Sequence, residues 1–222
     1  MRMTTATHEH RDGLSSFPEV IDSISVPELL YLRPIRADMT SDGLEPGHSA
    51  IPFDLPNANS SVGGEQVSFE SVAGEKGTIV LFTCNHCPYV VASMERIANL
   101  AEQATGLGIG FVAISSNDGI NYPEDRWERM QQIASKDGYT WPYLHDESQA
   151  VAAAWGAERT PEVYLLNSNN VVVYRGRIDD SPRDPRNVTT SDLSDAIDQL
   201  VNDEQITTPR TQSIGCSVKW KT

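Results

Sequence analysis

Lysine is scarce in this chain: it occupies four of 222 positions, 76, 136, 219 and 221. All basic residues together number seventeen against thirty-one acidic ones, a net charge of −14. A chain so poor in cations excludes a nucleic-acid backbone or an anionic membrane surface as its main partner, since both are held by basic patches. Long apolar runs are also missing, and no stretch approaches the roughly eighteen residues that a spanning helix needs. Cysteine is sparse and odd in number, at three, which excludes a small disulfide-stapled scaffold. What remains is a length sufficient to bury a real core in one domain.

The N-terminus carries no evident targeting segment. Its best apolar stretch, Val26 to Ile35, is interrupted by Pro27, Glu28, Arg33 and Pro34 and has no small-residue cleavage site after it. A cytoplasmic location is therefore expected. Residues 1–38 show no sustained period and read as a disordered, dispensable arm. Residues 39–205 read as the folded domain and 206–222 as a tail containing Cys216. The arm holds four basic and six acidic residues, while residues 39–222 hold thirteen and twenty-five. The acidity thus belongs to the folded body and resembles the hydrated carboxylate surface of a high-salt organism.

From about residue 65, β-rich apolar runs alternate with helix-period runs. Thr78–Thr83 and Ile109–Ser115 read as buried strands, and Pro88–Ala104 as a helix with Val90, Met94, Ile97, Ala101 and Ala104 on one face. Glu124–Lys136 reads as a second helix, Trp141–Leu144 as a short strand and Glu147–Trp155 as a third helix. Glu162–Leu166 and Val171–Arg177 form a strand pair about the turn Asn167–Asn170, and Ser191 is the expected N-cap of a last helix. This order predicts an α/β fold, a mixed central sheet with helices on both faces.

The most informative residues are Cys84-Asn85-His86-Cys87, placed where a buried strand ends and a helix begins. Helix N-termini carry unpaired N–H groups and partial positive charge, and both favour a thiolate. His86 offers a further cation. Two cysteines at this spacing can bridge across the first turn, so one attacks a disulfide and the other releases the product. The competing reading is half of a structural zinc site, but no second CxxC and no HxxxH completes it. Thr160-Pro161 is the second element, an X-Pro at a strand entry that can be cis or an ordinary trans strand start. Cys216 can be a further redox thiol or a small apolar residue packed under the tail.

Strand, CxxC, helix, then Thr-Pro, hairpin and helix resemble the thioredoxin superfamily. The match is closer to its redoxin branch, the peroxiredoxin-like proteins with a thioredoxin-style CxxC. Leu44–Gly47 with Ile51–Pro56, Cys84–Tyr89, Ser116–Asp118 with Tyr122–Asp125, Trp141–Leu144, Tyr174–Asp180 and Gly215–Trp220 are similar to that family's signatures over about residues 44–222. The resemblance implies a thioredoxin-like fold with a redoxin N-terminal extension and an inserted strand and helix, and a cis-proline loop set opposite the dithiol. It implies an oxidoreductase acting on a protein disulfide, a small thiol or a peroxide, and served by a cellular thiol reductant.

Two departures bear on mechanism. The Pro-x-x-x-Thr/Ser-x-x-Cys pattern of peroxiredoxins would put its cysteine at Cys87, but Val80 and Cys84 replace the proline and the Thr/Ser. The arginine that steers peroxide oxygens has no clear counterpart, since Pro161 occupies that turn with Arg159 upstream. Thiol–disulfide exchange is therefore the leading expectation: Cys84, as the more exposed sulfur, attacks; Cys87 resolves; His86 tunes the thiolate; Pro161 holds the substrate backbone. Thr160 and Trp141 are expected to line the substrate site. No cofactor or metal is expected. The alternatives are a peroxidase in which Cys87 reacts, and a non-catalytic assembly module holding metal through Cys84, Cys87 and His86. Asp179, Asp180 and Asp184 read as a solvated acidic loop, and Arg175 and Arg177 as facing solvent or paired with Asp179.

Overall fold

The computed structural model describes residues 43–222; the arm expected at 1–38 lies outside the described residues. The elements are β1 (Asp54–Pro56), β2 (Gln66–Ser68), α1 (Phe69–Val72), β3 (Gly77–Thr83), α2 (Pro88–Gly106), β4 (Ile109–Ser115), α3 (Trp127–Lys136), β5 (Tyr143–His145), α4 (Ala150–Trp155), β6 (Arg159–Thr160), β7 (Glu162–Asn167), β8 (Val172–Gly176), α5 (Asp192–Val201) and β9 (Cys216–Ser217). Among the described residues no helix is long and apolar enough to cross a membrane.

The central sheet has five strands in the order β5-β4-β3-β7-β8. β3 runs parallel to β4, and β4 to β5, while β7 is antiparallel to both β3 and β8. Every residue of β3 is buried, as a strand covered on both faces must be. Its side chains alternate between two cores. Ile79 and Leu81 pack with Val90, Ile97, Met130, Leu193 and Ile197 from α2, α3 and α5. Val80 and Phe82 pack on the other face with Phe53, Phe69 and Trp155. Fully burying one such large side chain contributes about 1.5–3 kcal/mol. β3 is therefore fixed from both sides, and the cysteine motif that follows it starts from a rigid point.

Where the local pattern and the structure differ, a tertiary contact decides. The helix expected over Glu124–Lys136 is interrupted: Pro123–Asp125 forms a 3₁₀ turn, and extended Arg126 separates it from α3. The break turns the Asp125 carboxylate inward. β5 starts at Tyr143 rather than Trp141, because Pro142 lacks the N–H a ladder needs. α4 starts at Ala150 rather than Glu147, since Gln149 is left-handed and the Asp146 carboxylate accepts the Ala152 N–H at 2.9 Å. Ser191 does sit at the N-cap of α5, but its hydroxyl closes no capping bond.

The arginine expectations are corrected. Arg175 is not at the surface but 1% exposed, with Nε 2.9 Å from Oε1 of equally buried Glu162 and Nη1 2.8 Å from Glu45 Oε1. Burying two charges is tolerable only when they pair and their other hydrogen-bonding positions are filled. Here the carbonyls of Leu44 and Gly156 take guanidinium protons, and Glu162 Oε2 accepts the Glu158 and Arg159 N–H groups. Arg177 pairs with Asp192, at 2.7 Å. Asp179 is buried rather than solvated and is held by Arg96 of α2.

Candidate functional site

Cys84 follows β3 directly and Cys87 is the N-cap of α2, with Pro88 as the first helical residue. Pro is suited to that position because its missing N–H would be unpaired there anyway. Neither sulfur is joined in a disulfide. Cys84 is only 2% exposed and Cys87 fully buried, so the expected contrast, with Cys84 as the open sulfur, is not met.

Thr160 meets both. Its carbonyl oxygen lies 3.0 Å from Cys87 Sγ and its hydroxyl 3.4 Å from Cys84 Sγ. The Thr160-Pro161 peptide is cis. Thus four of the singled-out residues, 76 positions apart at the extremes of the Cys84–Thr160 contact, come together at one end of the sheet.

The two thiols share their protons unequally. Cys87 is pulled down to about 4, first by the hydrogen bond from Cys84 and then by the Val90 N–H and the side chain and backbone of Cys216. The Val90 N–H acts from nearby without closing a full capping bond. Cys84 is pushed up, first by that same bond to Cys87, then by burial and by the negative charge of Asp125. The Thr160 carbonyl works the other way at Cys87, because it accepts from a thiol and offers a thiolate nothing. Several donors against one acceptor leave the first charge on Cys87. The second proton stays with Cys84, because two adjacent buried thiolates repel.

Sequence reasoning missed Asp125. Its carboxylate is fully buried and accepts from the Asn85 N–H at 2.7 Å and from Asn117 Nδ2 at 2.7 Å, and it lies 2.6 Å from His86 Nδ1. The His86 ring stacks on Tyr122, with centroids 5.4 Å apart and planes at 8°. His86 therefore sits in an acid–imidazole pair beside the dithiol, and the Asp125 carboxylate is one of the effects that raise Cys84. Asn85 is fixed from both ends, its side-chain oxygen accepting from the Tyr143 hydroxyl at 2.8 Å. Tyr122–Asp125 was visible as a signature, but nothing local marks its last residue as the inward one.

Ligand atoms of Cys84, His86 and Asp125 lie within 4.8 Å of one another, a set that could hold a soft metal ion. In this structure the Asp125 oxygens are already used by Asn85, Asn117 and His86. Trp141 shares the core cluster of Cys84 and Cys87. It is buried, stacked on Tyr139 at 4.7 Å and edge-on to Phe111 at 5.5 Å. Arg159, the nearest arginine upstream of the proline, gives its guanidinium to the Gly215 carbonyl at 3.2 Å.

Cys216 reaches this same corner. β9 pairs antiparallel with β6, setting Cys216 opposite Thr160, and the half-buried cysteine packs against the cluster that contains Cys84 and Cys87. The tail is tied in further by Asn117, whose oxygen accepts the Lys219 N–H at 2.9 Å while its nitrogen donates to Asp125.

Comparison with known proteins gives the family. The Redoxin family model matches residues 47–197. A structure of an uncharacterized conserved protein from Geobacillus kaustophilus is 40% identical with a TM-score of 0.75, covering 82% of this chain and 95% of that one. A hypothetical protein from Sinorhizobium meliloti 1021 is 36% identical with a TM-score of 0.74, covering 82% and 98%. A Mycobacterium tuberculosis H37Rv protein named "Putative peroxiredoxin Rv2521" is 26% identical over 141 residues, 61% of this chain and 82% of its own. With the dithiol at a helix N-terminus and the family match spanning most of the domain, the chain belongs to the Redoxin family: an oxidoreductase of thiol chemistry on a thioredoxin-like fold.

Proposed function

We propose that this protein is a thiol–disulfide oxidoreductase in which Cys84 and Cys87 cycle between dithiol and disulfide. The observation that carries this reading is the double contact of Thr160, whose carbonyl and hydroxyl lie 3.0 Å from Cys87 Sγ and 3.4 Å from Cys84 Sγ. That contact sets the residue before Pro161 against both reacting atoms.

In this reading Cys84 passes its proton to Cys87 across their hydrogen bond and attacks one sulfur of a substrate disulfide. The substrate's other sulfur leaves as a thiolate. Cys87, having lost its proton to that leaving group, attacks Cys84 and expels the remaining substrate sulfur. Two electrons reach the substrate and the Cys84–Cys87 disulfide forms. Thr160 and Pro161 present backbone beside the sulfurs for the substrate chain to lie against. The substrate is a protein disulfide or a small disulfide, a thiol reductant restores the pair, and the cytoplasm is the proposed setting. The test is insulin-disulfide turnover. Cys84→Ser abolishes it and Cys87→Ser accumulates a trapped mixed disulfide; equal turnover by Cys84→Ser and wild type overturns the assignment.

One observation favours a second reading. A thiol lowered to about 4 suits Cys87 for attack on a hydroperoxide, giving a sulfenic acid and releasing water or an alcohol; Cys84 then condenses with it and expels water. Against this, Arg159 is engaged by Gly215 and Arg175 by Glu162, and stabilising O–O cleavage calls for donors aimed at the peroxide. Hydroperoxide consumption by the single-cysteine variants separates the two. Only the peroxidase leaves Cys87→Ser inactive toward peroxide while Cys84→Ser still forms a sulfenic acid.

A further inference from the structure

A buried couple poses a problem of access. At 2% and 0% exposure, Cys84 and Cys87 open only to a partner seated on the Thr160-Pro161 backbone, and a thiol that does not dock there finds neither sulfur readily. Cys216 is half-buried, the most accessible sulfur of the three, and its position is closely specified. Residues directly opposite in an antiparallel pair project their side chains to the same face, with Cβ atoms about 4.5–5.5 Å apart. Cys216 is opposite Thr160, and the Thr160 hydroxyl already faces Cys84.

The neighbours of Cys216 keep it there. A Cβ on Gly215 would fall 2.1 Å from the Thr160 oxygen and 3.1 Å from the Pro161 nitrogen, so the tail lies on that loop because residue 215 has no side chain. Beyond it, Val218 N–H donates to the Glu158 carbonyl at 2.9 Å, and the Lys219 carbonyl accepts from Asp118 N–H at 2.8 Å and Gln149 Nε2 at 2.8 Å. The Cys216 thiol is itself raised, first by burial and then by its hydrogen bond to Cys87, against the pull of Lys219 and Arg183. When Cys87 is tied up in a disulfide its thiolate is gone. That restraint on Cys216 is then released, while the two cations remain.

We propose that Cys216 is a third redox cysteine, a relay that moves the disulfide from the buried pair to the surface where a thiol reductant can reach it. The inference rests on the Cys84–Cys87 couple of the proposed function. In the relay step the Cys216 thiolate attacks Cys87 Sγ of the Cys84–Cys87 disulfide. The Cys87–Cys216 bond forms, the Cys84–Cys87 bond breaks, and Cys84 leaves as a thiolate that takes up the proton Cys216 has lost. No electrons enter or leave the protein. A thiol of the reductant next attacks Cys216 Sγ and frees Cys87, and a second thiol of the reductant attacks that mixed disulfide, leaving as its own disulfide and freeing Cys216.

The experiment oxidises the full chain with stoichiometric diamide, blocks free thiols and maps disulfides by peptide mass spectrometry. Wild type, which needs no substitution, is expected to show both Cys84–Cys87 and Cys87–Cys216. Cys84→Ser closes Cys87–Cys216 alone. Cys216→Ser closes Cys84–Cys87 alone and is re-reduced by glutathione at least ten-fold more slowly than wild type. Absence of any Cys87–Cys216 bond in wild type and in Cys84→Ser, with Cys84–Cys87 closing normally in Cys216→Ser, overturns the relay and leaves the couple standing. Failure of Cys216→Ser to close Cys84–Cys87 overturns the couple, and the relay with it.

Discussion

Gly215 and Thr160 approach so closely that a methyl group on Gly215 would sit 2.1 Å from the Thr160 carbonyl oxygen, the same oxygen that touches Cys87 Sγ. Tail, cis-proline loop and dithiol are therefore in serial contact. Gly215→Ala must push β9 off β6. The expected outcome is a loss of about 1–3 kcal/mol, as for other overpacked sites, read from urea unfolding. Cys216 should also be alkylated faster than in wild type. An unchanged alkylation rate would show that the tail does not hold Cys216 in place.

Lowering of Cys87 to about 4 has two consequences for pH dependence. The sulfur is ionised at neutral pH, so its ultraviolet thiolate absorbance should stay flat over roughly pH 6–8, where an ordinary thiol gains about ten-fold in thiolate per unit. Stability follows the same shift. A thiol depressed on folding stabilises the native state fully above its ordinary value of 9.0, and that contribution fades as pH falls through the interval down to about 4. Cys84, pushed up, acts in the opposite sense: above its ordinary value only the unfolded chain ionises, and stability falls. The urea midpoint of the reduced protein should thus rise from roughly pH 5 to 8, and rise less in Cys87→Ser. Identical slopes would sink the assignment.

Asp125 is the buried acid beside the couple, and its charge is one of the effects that raise Cys84. Asp125→Asn removes that charge while keeping an oxygen to accept from Asn85. The dithiol should ionise more readily, the reduced form gains, and the couple becomes more oxidising by about 30 mV for each 1.4 kcal/mol. Equilibration with glutathione measures it; a potential that stays put or becomes more reducing contradicts the role.

Arg175 and Glu162 are each 1% exposed and lie 2.9 Å apart. Arg175→Met leaves Glu162 charged and buried, and removing one member of such a pair costs roughly 3–5 kcal/mol. The double variant Arg175→Met/Glu162→Met should lose clearly less than the two single losses added together, since it leaves neither charge alone. Additive losses in urea unfolding would mean that the pairing itself matters little.

How far the sequence reached depended on the distance over which each feature is decided. Ile109–Ser115 is legible to its observed limits, because an apolar β-branched run between turn residues declares itself locally. Cys84–Cys87 at a strand–helix junction and Thr160-Pro161 before a strand were legible for the same reason. The helix through Glu124 was overextended, because its period continues across Arg126 while the pull on Asp125 comes from Asn85, some forty residues away. Arg175 is the opposite case. A charged residue on a strand looks solvent-facing until Glu162 and the Leu44 and Gly156 carbonyls are brought to it.

The sequence by itself determined the alternation of strands and helices, the chemistry of the two adjacent cysteines and the acidity of the folded part, because composition, period and spacing are properties of neighbouring residues. The tertiary structure alone decided that Thr160 touches both sulfurs, that a buried Asp125 lies against His86 and raises Cys84, and that Cys216 belongs to the site. Those facts depend on strand register, close approach and burial between segments far apart in the chain. No local pattern encodes the energy of such contacts.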